Sequence, residues 1–461
     1  MSATSATYIC SWLPVTPIGA RPLGDEAAWR DLVDFRRHRL RGIDEDDAGK
    51  IVTAWESLGS AGLGQLSGMT HENAVRRLLE TARDEVVKRR DGSLLGAMIE
   101  LRYGEAFKEY VQKLLDRLRE RDAPGGTLLN AYAYVAAMHA ENLLFLSKPV
   151  LASVLGCDER ILQRDVLRPL ADEAAAAAHG GYVLTRHRAI AETAIAVLTE
   201  ADPDFEPVST FTKLAVAAER SFLSHRNLPD IADWCFTLPR HFSRKGQHNS
   251  AIQIAAAIRD VEPGNAYLIV SLAKTLRNAG RPSQALQVFE QAAEEIETKD
   301  RGFYYEWGTT AGSSGDQAAS LWLDGISLAD LDRVAITEND QAKLSLAGLG
   351  VAAGELFKTT QQQVFMEARA AAGQLGLRLK LDSRARGYLQ RYKDEAAAVG
   401  VREMSVDQAL VAIERAVEAA YRRCGKRDLL VELGVLMPEE MSFSGLRRLF
   451  GVAPPGARSR R

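Results

Sequence analysis

His179-Gly-Gly-Tyr-Val-Leu-Thr-Arg-His-Arg-Ala-Ile-Ala-Glu192 reads as a small-residue turn, a short strand, a polar step and a helix start. Tyr182 and Leu184 supply the period of two that marks a strand. Thr185-Arg186-His187-Arg188 is the step, and helix-forming residues follow it. The stretch divides the chain. Before it lie irregular helices with one compact helical cluster; after it lie stacked helix pairs. A step that leaves a strand and opens a helix gathers backbone N–H donors and cationic side chains, which together can hold a phosphate. The plainer reading leaves Arg186 and Arg188 as exposed charges and packs His187 against the hairpin.

Working back from this stretch, residues 127–192 form a unit of their own. A helix from about Thr127 to Leu146 is apolar on most sides and belongs at a buried centre. Ser147 caps a short second helix with Pro149 in its first turn. Asp158 starts a third, which Pro169 interrupts, opening an Ala-rich helix to His179. Three helices and a small β-wing make the winged-helix pattern. Arg160, Arg164 and Arg168 share a face of the third helix, the spacing of a DNA-reading surface. Asp158, Glu159, Asp165, Asp172 and Glu173 oppose them, a poor electrostatic footprint for a duplex. Packing within the chain is therefore the expected use of this helix, and a winged-helix DNA-binding regulator is an alternative reading.

Working forward, Asp202-Pro-Asp-Phe-Glu-Pro is a linker and a period then appears. With Ala266 as position 1 of a unit of about 34 residues, Leu272, Ala273 and Leu276 fall at positions 7, 8 and 11. Gly280 falls at the interhelix turn, and Ala285, Phe289 and Ala292 at positions 20, 24 and 27. That is the tetratricopeptide pattern. Small residues at 8 and 20 let two antiparallel helices approach, and Phe at 24 fills the gap to the next pair. The unit from Ala232 matches in part, through Leu238, Gly246, Ala251 and Pro263. Phe303–Leu328, Thr337–Leu375 and Ser383–Cys424 read as further helix pairs with Gly and polar residues at consensus core positions, and residues 426–452 as a cap.

The whole reads as mainly α, a helical region plus a winged-helix-like unit followed by a tetratricopeptide-like α-solenoid. The boundaries fall at 1–24 (a strand remnant and linker), 25–126 (helical), 127–200 (winged-helix-like), 205–452 (repeats) and 453–461 (a disordered tail). Across 461 residues the chain is 46% hydrophobic and 26% charged, enough for real cores. A net charge of -3 gives no global argument for nucleic acid or an anionic membrane. Cys10, Cys157, Cys235 and Cys424 form neither a zinc pair nor a disulfide framework, which suits a reducing cytoplasm. No secretion signal opens the chain, and no window reaches about 18 uncharged apolar residues.

Chemistry is mostly missing. Neither Gly49-Lys50 nor Gly425-Lys426 belongs to a phosphate loop, no Gly-x-Ser-x-Gly or His-Glu-x-x-His occurs, and the eight histidines do not group at metal-ligand spacing. The order of parts, with Thr185-Arg-His-Arg-Ala-Ile-Ala-Glu192 between a β-wing and degenerate repeats, resembles the C-terminal part of a STAND-type signalling NTPase, the class of bacterial antiphage sensors and some transcription activators. The resemblance implies a non-catalytic sensor or regulatory module that binds a protein ligand through its repeats. It also implies that His187, with Arg186 beside it, contacts the phosphates of a nucleotide. The family's phosphate loop and magnesium-binding acid are missing from this sequence. The chain then reads as a fragment, a truncated gene or half of a split system. No enzyme activity or cofactor is expected of it alone, and ATP enters only with an NTPase domain in trans. A free-standing tetratricopeptide scaffold is the remaining alternative. Nucleic acid and membrane are not expected partners.

Overall fold

The computed structural model describes residues 43–452 except 60–62, 90–96, 98–100, 102–103, 144–145, 180, 225–233, 297–298, 332–335 and 337–339. The expected strand remnant and linker at 1–24, the first part of the helical region from 25 to 42 and the tail at 453–461 lie outside the described residues. The structure is 74% helical and 4% strand, so the fold is mainly α. Among the described residues no helix is long and apolar enough to cross a membrane. The chain forms two compact units that divide between Trp234 and Cys235.

The first unit opens with α1 (Glu45–Glu56) and α2 (His71–Arg89), packed around Val52, Leu66 and Leu78. In α3 (Phe107–Arg119) Val111, Leu114, Leu115 and Leu118 form one buried stripe. A short hairpin, β1 (Asp122–Ala123) and β2 (Gly126–Thr127), leads into α4 (Leu128–Ala140), the buried centre. Then come β3 (Leu146–Ser147) and α5 (Lys148–Leu155). Ser147 stands at the start of α5, but its buried hydroxyl makes no capping bond.

Glu159–Ile161, a π-helical turn over Leu162–Leu167, and Arg168–Asp172 run on as one helix, α6. Asp158 Oδ1 caps it, accepting from Arg160 N and Ile161 N at 2.8 and 2.9 Å. Pro169 does not interrupt this helix, contrary to the sequence expectation. Arg168 N bonds Gln163 O, five residues back, and the widened turn takes in a proline that would crowd an ordinary α-helix. The Ala-rich segment is a strand as well, not a helix. Ala174 leaves the helix at φ 57, and β4 (Ala176–His179) pairs antiparallel with β5 (Tyr182–Thr185). The helix propensity of alanine is a weak preference, and strand pairing overrides it. The sheet order is β3-β5-β4. Helix α7 (Arg188–Ala201) packs on α4, and α8 (Pro207–Ser224) packs on α5 and α4. The boundary drawn at 200–205 thus lies within this unit.

The second unit stacks α9 (Trp234–Arg244), α10 (His248–Arg259), α11 (Ala266–Asn278), α12 (Pro282–Glu295), α13 (Arg301–Ser313), α14 (Gln317–Leu328), α15 (Asp340–Thr360) and α16 (Gln363–Gly376). From α10 onward each helix packs on the next in sequence, and the odd helices α11, α13 and α15 also touch in succession. Leu272, Ala273, Leu276, Ala285, Phe289 and Ala292 are all buried, and Gly280 turns between α11 and α12 at φ 75. Phe289 lies edge-on to Phe303 at 5.2 Å and stacks with Trp307 at 6.0 Å, both on α13. The gap between pairs is filled as the spacing required.

The chain then departs from simple pairing. Helices α17 (Ser383–Ala398) and α18 (Val406–Arg423) were expected to pair with each other. Instead α17 lies on α16, and α18 packs chiefly on α16 and α14. The cause lies in the surfaces: α18 carries a broad apolar stripe of Ala409, Leu410, Ile413, Ala416, Val417 and Ala420, whereas α17 buries only Leu389, Tyr392 and Ala396. Two short helices, α19 (Arg427–Glu432) and α20 (Ser444–Leu449), finish the unit. Leu436 O accepts from Trp322 Nε1 at 2.9 Å, and Asp330 accepts from Ser444 N and Gly445 N, which fastens the end of the chain to the end of α14.

Candidate functional site

The polar step closes on itself. Thr185 and His187 are buried and Arg186 is exposed. His139 on α4 bonds Thr185 Oγ1, which donates to His187 O at 3.1 Å. His187 stands at the start of α7, and its Nδ1 accepts from Ala189 N at 3.1 Å, so that nitrogen carries no proton in this arrangement. Ile190 N and Ala191 N both bond His187 O. The amides that would greet an anion at this helix start are therefore spent inside the chain. Arg188 is held by Glu192, with Nε 2.8 Å from Oε1. Arg186 is the side chain of the step that faces solvent.

A second basic feature lies on the same unit, at α6. Lys148, Glu159, Arg160, Gln163, Arg164 and Arg168 line an open cleft of about 640 Å³. The structure sorts the five acids counted against this helix. Asp158 is spent on the cap. Glu173 turns to Arg117 and Arg121, which hold its carboxyl below the usual carboxylate range. Asp165 forms a two-pronged pair with Arg164 at 2.6 and 2.7 Å. Of the acids on this helix, Glu159 alone lines the cleft. Sequence spacing grouped the arginines but could not place Lys148, which arrives from the start of α5.

The second unit holds a buried polar cluster that spacing did not indicate. Glu306 on α13 is 2% exposed. Its Oε1 accepts from Lys274 Nζ at 2.7 Å, and its Oε2 lies 2.8 Å from Arg277 Nη2. Burial pushes this carboxyl up, but the two cations outweigh burial and hold it below its ordinary value. Asp324 on α14 is wholly buried, and neither of its oxygens has a hydrogen-bond partner among the described residues. Burial, reinforced by the Glu306 carboxylate, pushes Asp324 well above its ordinary value, so it is held as the neutral acid. Two glycines make room for it. A Cβ on Gly308 would lie 3.1 Å from Oδ1, and one on Gly348 2.7 Å from Oδ2. The signal for this site was a single acid inside the apolar run Leu321-Trp-Leu-Asp-Gly-Ile326.

Comparison with protein-family models and with curated proteins finds no match to this chain.

Proposed function

We propose that the chain is a non-enzymatic regulatory module whose repeat unit binds a protein partner along the open face of its odd helices. The observation that carries this reading is the position of α18. Packed on α14 and α16, it leaves every residue of α14 from Ala318 to Leu328 buried. The face turned away from α14 and α16 is the one free to receive a partner. On α15 this face carries Val351, which is 49% exposed, and the exposed Lys358. On α17, Tyr388 is 45% exposed. Exposed aromatic and aliphatic side chains on a rigid helical stack are the usual anchors of protein interfaces.

The order of parts in the first unit, helices and a small three-stranded sheet before the step, supports the further reading that the module serves a STAND-type NTPase domain supplied in trans. In that assembly Arg186 faces the nucleotide phosphates, and His187 shapes the turn that presents it. Free thiols at Cys157 and Cys424 suit a cytoplasmic setting. The test is affinity purification of the tagged full chain from its native cells, wild type against the Val351→Glu, Tyr388→Glu double variant. The reading expects a protein recovered with wild type and lost with the variant. An unchanged set of recovered proteins would refute it.

A further inference from the structure

We infer that the cleft of Lys148, Arg160, Arg164 and Arg168 is a binding site for the phosphate backbone of a polynucleotide, independent of the protein-partner face. Three observations combine. First, the side chains of Lys148, Arg160 and Arg168 make no ion pair or hydrogen bond among the described residues, although ion pairs are common elsewhere on this chain. Three unneutralised cations facing one opening repel one another, and a polyanion relieves that repulsion. Second, the cleft is lined by charged and amide side chains, with Glu159 as the opposing acid and Arg164 already paired two-pronged with Asp165.

Third, the cations form a row and not a cup. Arg160 and Arg168 are separated by eight residues of helix, on the order of 10 Å along its axis. Lys148 adds a further cation to the same cleft from the first residue of α5, where the helix N-terminus also favours negative charge. A row of that length matches successive phosphates on a strand better than the compact phosphate group of one nucleotide. Guanidinium groups hold phosphates in a two-pronged way, which suits the arginines to this task. The π-helical turn at Leu162–Leu167 lies under the middle of the row, and such turns recur at functional sites. Contacts to phosphates carry no sequence information, so binding through these cations is expected to be independent of sequence.

The experiment measures anisotropy of a labelled 20-base-pair duplex with the full chain across a salt series. Three forms are compared: wild type, the cleft variant (Lys148, Arg160 and Arg168 all to Ala) and a charge-matched control (Arg402, Arg415 and Arg423 all to Ala). Wild type should bind, and log K should fall linearly with log salt. The cleft variant should bind at least tenfold more weakly, with a salt slope shallower by about one per residue removed. The control should match wild type, and Glu159→Gln should bind more tightly. No duplex binding by wild type at low salt overturns the proposal. So does equal loss in both triple variants, which would mean unspecific charge attraction. Displacement of the duplex from wild type by stoichiometric ATP would also overturn it, by assigning the cleft to a nucleotide.

Discussion

Gly348→Ala tests the packing around Asp324. In the middle of a helix this change ordinarily stabilises by about 0.5–1 kcal/mol, because alanine loses less backbone freedom on folding. Here the new Cβ would lie 2.7 Å from Asp324 Oδ2 and 3.2 Å from Cγ. The carboxyl cannot withdraw to solvent, since Asp324 is wholly buried. Overpacking of this kind costs about 1–3 kcal/mol, which outweighs the propensity gain and leaves a net loss of about 1–2 kcal/mol. In an Asp324→Ala background the obstacle is gone, and the same change should stabilise by about 0.5–1 kcal/mol. The coupling between the positions is then about 1.5–3 kcal/mol, the upper part of the range for contacting residues. Urea unfolding followed by tryptophan fluorescence reads it, because Trp307 and Trp322 are both buried in this unit. If Gly348→Ala stabilises the wild-type chain, or costs the same with and without Asp324, the reasoning is wrong.

Three more expectations follow from the same contacts. Asp324 binds its proton more tightly folded than unfolded, so stability should be full below the unfolded carboxyl value of about 3.9 and decline as pH rises toward the raised folded value. Asp324→Asn should flatten that decline and raise stability at neutral pH in a pH series of unfolding curves; an unaltered profile would contradict a neutral Asp324. Gly354→Ala should cost about 1–3 kcal/mol in the same assay, because its Cβ would lie 2.1 Å from Arg369 Nη1, and Arg369 is pinned by Gly350 O, Glu395 and the Tyr392 ring. His187→Ala should lower stability by about 0.5–2 kcal/mol through loss of the cap on α7, with His187→Asn restoring most of it. Full stability in the alanine variant would remove the capping role.

The repeat was legible because its signal is local. Ala273, Ala285 and Phe289 sit at fixed offsets, and close helix packing admits few alternatives there. Later pairs lost the consensus for a physical reason. Gly308 and Gly348 stand where Asp324 occupies the space of a side chain, and Gly350 where Tyr392 does. A pattern search reads these as decay, although each glycine answers a particular neighbour. The cleft was half legible. Spacing put three arginines together, but counting charges along α6 could not tell that Asp158 and Glu173 are engaged elsewhere. Nor could it bring in Lys148 from another helix. The strand at Ala176–His179 escaped because alanine favours helix, and only pairing with β5 decides otherwise. For the step at 185–188, sequence offered a ligand site or a packed turn. The described geometry engages Thr185 and His187 internally and leaves Arg186 outward.

The central claim is that the open face of the odd helices receives a protein partner. A photo-crosslinking residue placed at Val351, and separately at Arg415 on the exposed side of α18, tests it most directly in native cells. The account predicts a discrete crosslinked protein from Val351 and none from Arg415. Equal capture from both positions, or capture from Arg415 alone, would contradict it.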